Sequence, residues 1–320
     1  MLIARLLVAI ALCLTATLAQ AAGFRLIDVP ADADGPALNG AMWYPCSEPP
    51  GEIDVGGFTL PGVKDCPISG DKLPLVVISH GRGGSFVNFH GMAETLADAG
   101  FIVAAINHPG DTTFDMSHSG NFSVFIERPT DIKRLIDFML GASPAAPNID
   151  PQRIGFFGFS AGGFTGLVLI GGNPDWGNAT TSCQQSSTPL CEQIRRKEFP
   201  APLAQDQRIR AAVIADPLAI FFTADSFAAV KVPVQLWASQ RGGEDITPET
   251  DAAVARNLPA EHEYRVVPNS WHLDFILCPP TMAKAVPEVC TDAPGFDRAA
   301  FHKEFNADVL AFFHANLGGM

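Results

Sequence analysis

A serine stands between two glycines at Gly158-Phe159-Ser160-Ala161-Gly162. What flanks this G-x-S-x-G pattern gives it weight. The run Arg153-Ile154-Gly155-Phe156-Phe157 reads as a buried strand leading straight into it, and a small-residue helical stretch, Ala161 to Ile170, follows directly. A strand that turns sharply into a helix lifts the serine hydroxyl above the sheet. Glycines on either side avoid side chains that would strike the neighbouring strand and helix. A glycine-rich packing turn is the bland alternative, and it leaves the strand and helix on either side unexplained.

A serine hydroxyl is a weak nucleophile at neutral pH and needs a base. His272, in Asn269-Ser270-Trp271-His272, follows a short strand near the C-terminus. That fits the chain order serine, acid, histidine of sheets carrying such an elbow. His80 and His108 end earlier strands, His302 and His314 fall on the last helix, and His262 precedes the last strand. Two positions compete for the acid. Asp216 follows one strand in Ala215-Asp216-Pro217, and Glu244 follows the next in Gly243-Glu244-Asp245. Both lie at carboxyl ends of strands, where open α/β sheets build their sites. Either carboxylate could hold the imidazole tautomer and stabilise the imidazolium. An oxyanion hole needs two backbone N–H groups. Ala161, directly after the serine, supplies one. The glycine-rich loop His80-Gly81-Arg82-Gly83-Gly84 supplies the other, at Arg82.

Alternating elements must carry these residues. Short apolar runs at Leu73–Ser79, Phe101–Ile106, Arg153–Phe159, Ala211–Ala215, Val232–Ala238 and Tyr264–Val267 read as strands. Helical spacing appears at Phe89–Asp98, Thr130–Leu140, Glu249–Asn257 and Asp297–Leu317. Upstream, Phe24–Val29 and Ala41–Tyr44 are β-like, and residues 53–60 suggest a hairpin. Doubly apolar strands alternating with helices imply the α/β class, a mostly parallel central sheet with helices on both faces. No repeat or linker divides the chain. The polar, Pro-bearing stretch 172–208 reads as a cap-like insertion, with Trp176 expected in the wall of the pocket.

The chain has 320 residues, 47% hydrophobic and 17% charged, which excludes global disorder. A net charge of −13 without a basic patch excludes ordinary nucleic-acid binding. Residues 1–21 read as a secretory signal: Arg5, then an apolar run from Leu6 to Leu18, then Ala19-Gln20-Ala21. The run is about 13 residues against the roughly 20 a membrane span requires. No later segment is long and apolar enough to span a membrane. Cleavage after Ala21 removes Cys13 and leaves Cys46, Cys66, Cys183, Cys191, Cys278 and Cys290. Exported proteins oxidise such cysteines, and their locality suggests Cys46–Cys66, Cys183–Cys191 and Cys278–Cys290. No CxxC spacing or histidine cluster points to a metal.

Several segments resemble the α/β-hydrolase superfamily, and within it the branch of platelet-activating-factor acetylhydrolases and predicted dienelactone hydrolases. They are Trp43-Tyr44-Pro45, Pro74 to Gly81, Asn107-His108-Pro109-Gly110, Gly158 to Gly163, Ala215-Asp216-Pro217 and Trp271 to Phe275. The resemblance implies that the acid is Asp216, after the strand that follows the nucleophile helix. In many other members of the superfamily, bacterial polyester hydrolases included, the acid follows the next strand, the place of Glu244. The resemblance also places an oxyanion donor at Arg82. True dienelactone hydrolases use a cysteine nucleophile, whereas Ser160 occupies that position here.

The expected activity is a secreted, periplasmic or extracellular serine carboxylic-ester hydrolase acting through an acyl-enzyme, with no metal or organic cofactor. Its partner would be a small-molecule or lipid ester. Phospholipid acyl hydrolysis and polyester hydrolysis use the same residues. Acyl transfer shares the intermediate but excludes water. A non-catalytic binding role would not require serine, histidine and acid together.

Overall fold

The computed structural model describes residues 21–180, 183, 188–199, 202–243, 245–259 and 261–318. The expected signal segment lies outside them except for Ala21, and so does Glu244.

Among the described residues, ten strands form one sheet: β1 (Ala21–Val29), β2 (Leu38–Cys46), β3 (Gly51–Val55), β4 (Phe58–Lys64), β5 (Leu73–Ser79), β6 (Ile102–Ile106), β7 (Ile149–Phe159), β8 (Ile209–Ala215), β9 (Val234–Ser239) and β10 (His262–Val267). Their order is β10-β9-β8-β7-β5-β6-β2-β1-β4-β3. Every pairing from β10 to β6 is parallel, β6–β2 and β2–β1 are antiparallel, and β4 returns parallel to β1. The expected hairpin is β3–β4, with Val55 opposite Phe58 and Gly56 and Gly57 at φ 59° and 90°. A two-residue turn with positive φ at both positions matches the right-handed twist of its strands, and glycine adopts it without strain.

The inner stretches of the central strands, such as Leu75–Ile78, Ile154–Phe159 and Ala211–Ala215, are apolar toward both faces because both faces are covered. On β7, Phe156 enters one core and Phe157 the other; on β5, Leu75 and Val77 oppose Val76 and Ile78. The first core is closed by α2 (Phe122–Leu140), α3 (Ala161–Leu169) and α5 (Pro248–Asn257). The second is closed by α1 (His90–Asp98) and α6 (Arg298–Leu317), whose Phe305, Val309 and Phe313 are fully buried.

One boundary differs substantially from expectation. The helix predicted at Thr130 begins at Phe122, with Pro129 in its interior. Proline favours the first helical turn, so Pro129 reads as a start. Burial of Phe122, Val124 and Phe125 extends the helix before it. The stretch 172–208 holds a 3-10 turn (Trp176–Thr180) and α4 (Pro189–Arg195). All three expected cysteine pairs are disulfides, with Cα separations of 6.3, 5.0 and 5.6 Å along the chain. No helix among the described residues is long and apolar enough to cross a membrane.

Candidate active site

Ser160, Asp216 and His272 come from the carboxyl ends of β7, β8 and β10. Ser160 sits between β7 and α3 at φ 56°, ψ −117°, a strained conformation for a residue with a side chain. The neighbouring glycines make that turn possible. A Cβ on Gly158 would strike the Gly162 carbonyl, and one on Gly162 the Ser79 carbonyl. The Ser160 N–H donates to the Ala215 carbonyl at 3.0 Å, which carries the sheet ladder into the turn.

His272 bridges the other two residues. Its Nε2 lies 3.0 Å from Ser160 Oγ, and its Nδ1 lies 2.6 Å from Asp216 Oδ2. The imidazole stacks on Phe159, with centroids 4.5 Å apart at 20°. Asp216 is fully buried and adopts φ 46°. The Ser239 N–H donates to its Oδ1 at 2.5 Å, and Ser239 Oγ donates to its Oδ2 at 2.8 Å. The His272 segment is anchored from behind, because Asp274 Oδ2 accepts from the Trp271 N–H and Asp274 Oδ1 accepts from Arg298. Of the two acid candidates, the structure brings Asp216 to His272, while Glu244 lies outside the described residues.

Gly81 and Arg82 pass over the serine. A Cβ on Gly81 would stand 3.3 Å from Ser160 Cβ. Ala161 opens α3, where the first N–H groups have no intrahelical acceptor. Arg82, Ser160, Ala161 and His272 line one cleft of about 980 Å³. Its apolar wall includes Phe125, Leu190, Leu218, Phe221, Val286 and Val289. The insertion reaches the cleft through Cys183, Thr188, Leu190 and Cys191. Trp176 does not line it, against expectation. Its ring packs behind the wall against Phe122 and Phe221, both at 4.9 Å, because an indole gains more from a closed aromatic cluster than from a wet rim.

Beneath the Gly81 loop lies a buried polar network that sequence reasoning missed. Arg128 donates to the carbonyls of His80 at 2.8 Å and Gly81 at 3.1 Å, and to Asp111 at 3.0 Å. The Gly83 N–H reaches the other Asp111 oxygen at 3.3 Å. His108 joins Ser79 Oγ at 2.9 Å to Asp131 at 3.0 Å. Burial, with the Arg128 charge beside them, holds His80 and His108 well below the usual histidine range. Burial pushes Asp131 up to about 7. The available signal was an arginine in register with Phe125, Ile132 and Leu135, on the apolar stripe of a helix.

Known proteins share this architecture. Ferulic acid esterase from Streptomyces cinnamoneus superposes at a TM-score of 0.66, covering 96% of this chain and 92% of that one at 19% identity. Dienelactone hydrolase from Anabaena variabilis superposes at 0.53, covering 92% and 99% at 15% identity. The chain has the α/β-hydrolase fold. Two families of proteins with that fold also match in sequence. Residues 51–119 match platelet-activating factor acetylhydrolase, isoform II, and residues 87–182 match the prolyl oligopeptidase family. The first segment carries the Gly81–Arg82 loop, and the second carries the Ser160 elbow. No curated protein matches the chain as a sequence.

Proposed function

We propose that the protein is a serine hydrolase that cleaves carboxylic esters through an acyl-enzyme. The continuous line from Ser160 Oγ through the His272 ring to the Asp216 carboxylate carries this reading, at 3.0 and 2.6 Å. Ser160 attacks the ester carbonyl as His272 Nε2 takes its proton. Asp216 holds the tautomer and steadies the imidazolium. The N–H groups of Arg82 and Ala161 receive the oxyanion. His272 then protonates the leaving alcohol, and water, activated in the same way, releases the acid.

The similarity to ferulic acid esterase and to the acetylhydrolase family favours carboxylic esters, and the apolar cleft walls suit an acyl group. A phospholipid acyl group is the second reading, favoured by the match over residues 51–119. We further assign residues 1–21 to an export signal and 22–320 to one catalytic domain with the insertion at 172–208. The three disulfides support a site of action outside the cytoplasm. The deciding experiment compares wild type with Ser160→Ala on nitrophenyl esters of increasing acyl length, beside labelling by a fluorophosphonate. Loss of both turnover and label in the variant is expected. Full turnover in Ser160→Ala would overturn the mechanism.

A further inference from the structure

Behind Asp216 lies a second carboxyl that the mechanism above does not use. Asp251, on the first turn of α5, is fully buried, as is Asp216. Among the described residues, neither of its carboxyl oxygens meets a hydrogen-bond donor. Its carboxyl does reach hydrogen-bonding range of the Asp216 carboxyl. A buried ionised carboxylate without a donor is strongly disfavoured, and two ionised carboxylates in contact more so. The pair therefore holds one proton.

The partners of each carboxyl decide where that proton resides. Asp216 receives three donors: the Ser239 N–H, the Ser239 hydroxyl and the His272 ring. Ser239 Oγ already accepts the Gly242 N–H at 3.1 Å, which leaves its own hydrogen for Asp216. Three donors occupy the Asp216 carboxyl and leave it no need of a hydrogen of its own, whereas Asp251 has no donor among the described residues.

We propose that Asp251 is the protonated member of a carboxylic acid–carboxylate pair and donates its hydrogen to Asp216, positioning the carboxylate that holds His272. The inference rests on the Ser160–His272–Asp216 reading. Asp251 is a positioning residue, acting on the reacting atoms only through Asp216 and His272. The titratable groups that interact with it are Asp216 at the end of β8 and Tyr264 on β10; Arg256 on α5 and Asp225 on the 3-10 turn packed against α5 are exposed to solvent. Burial, reinforced by the Asp216 charge, raises Asp251 to about 10. The same two carboxylates push the Tyr264 phenol up, after its own burial.

The test compares wild type, Asp251→Asn and Asp251→Leu, with Ser160→Ala as the inactive control. Asparagine keeps a donor facing Asp216 and cannot ionise; leucine keeps the volume and removes the donor. Asp251→Leu is expected to lower kcat about tenfold or more with KM changed about twofold at most, because the loss is one of alignment. Asp251→Asn should recover most of that loss. It should also lack the alkaline fall in kcat that wild type shows as Asp251 ionises. Equal kcat and equal alkaline limbs in all three would overturn the proposal.

A second measurement needs no catalysis. Native Asp251 keeps its proton up to about 10 while the unfolded chain releases it near 3.8, so this group lowers stability as pH rises between those values. The thermal midpoint of Asp251→Asn should therefore gain on wild type as pH rises from about 5 to about 9. Parallel midpoints would overturn the carboxyl pair even if Asp251→Leu fails to fold. If Ser160→Ala stays active, the triad reading falls and the midpoints still judge the pair.

Discussion

The imidazole of His272 rests face to face on the ring of Phe159, the residue immediately before Ser160, with centroids 4.5 Å apart. One residue of the elbow thus presents the candidate nucleophile while its neighbour supports the proposed base. The stacked face limits the ring to rotation in its own plane, along the line joining Asp216 to Ser160.

Phe159→Leu keeps an apolar side chain but removes that flat support. We expect kcat on a short nitrophenyl ester to fall about tenfold, with KM nearly unchanged, since a small misalignment of the base is costly. The thermal midpoint should drop only modestly. An unchanged kcat would show that the stacking plays no part in orienting the base.

Arg128 holds the carbonyls of His80 and Gly81 and thereby sets the path of the Arg82 loop. Arg128→Met leaves Asp111 buried without its cation. The loss of one partner of a buried pair costs about 3–5 kcal/mol. In the folded fraction, kcat should fall about 100-fold, the scale of losing one oxyanion donor. Arg128→Lys should restore little, because an ammonium cannot span both carbonyls and Asp111 as a planar fork does. Denaturant titration beside single-turnover kinetics checks both effects, and wild-type turnover in folded Arg128→Met would refute the loop's dependence on it.

Buried histidines set the acid limb of stability. His302 is held down to about 4 by burial, and its Nε2 lies 3.0 Å from the Asp274 carbonyl. Between about 6.5 and about 4 the unfolded chain binds a proton at this position that the native protein refuses, so stability falls as pH falls through that window. His80 and His108 act in the same direction below 6.5. Asp131, raised from 3.8 to about 7, and Asp251, raised to about 10, work the opposite way over this window, two groups against three histidines. Urea midpoints measured from about pH 4 to 7 should decline on acidification, and less steeply in His302→Gln. A slope identical to wild type in that variant would remove His302 from this account.

Much of the site could be read from the chain because its determinants are local. The Ser160 elbow is written in five consecutive residues, since the turn needs glycines next to the serine. The disulfides join cysteines 20, 8 and 12 residues apart, within single loops. Continuous apolar runs located the central strands, and the helical spacing from Glu249 found α5 to within one residue of its start at Pro248. Two expectations shifted for physical reasons: Trp176 moved to an interior aromatic cluster, and Pro129 was absorbed into α2. Arg128 and Asp251 each stand in register with apolar residues of their helices. That marks them as buried without naming the partner each would meet.

The sequence by itself determined the class of fold, singled out Ser160 and His272 as the candidate nucleophile and base, and suggested local pairs for the cysteines. Each depends on residues close in the chain or on a repeating pattern of burial. The tertiary structure decided which carboxylate reaches His272, and what stands behind it. Ser160 and His272 are 112 residues apart, and Asp216 and His272 are 56. Strand order bridges those separations: β7, β8, β9 and β10 lie side by side and bring the residues that follow β7, β8 and β10 to the same edge of the sheet. Local propensity has no means of encoding that adjacency. It arises when the parallel sheet buries both its faces and brings separate strand ends together.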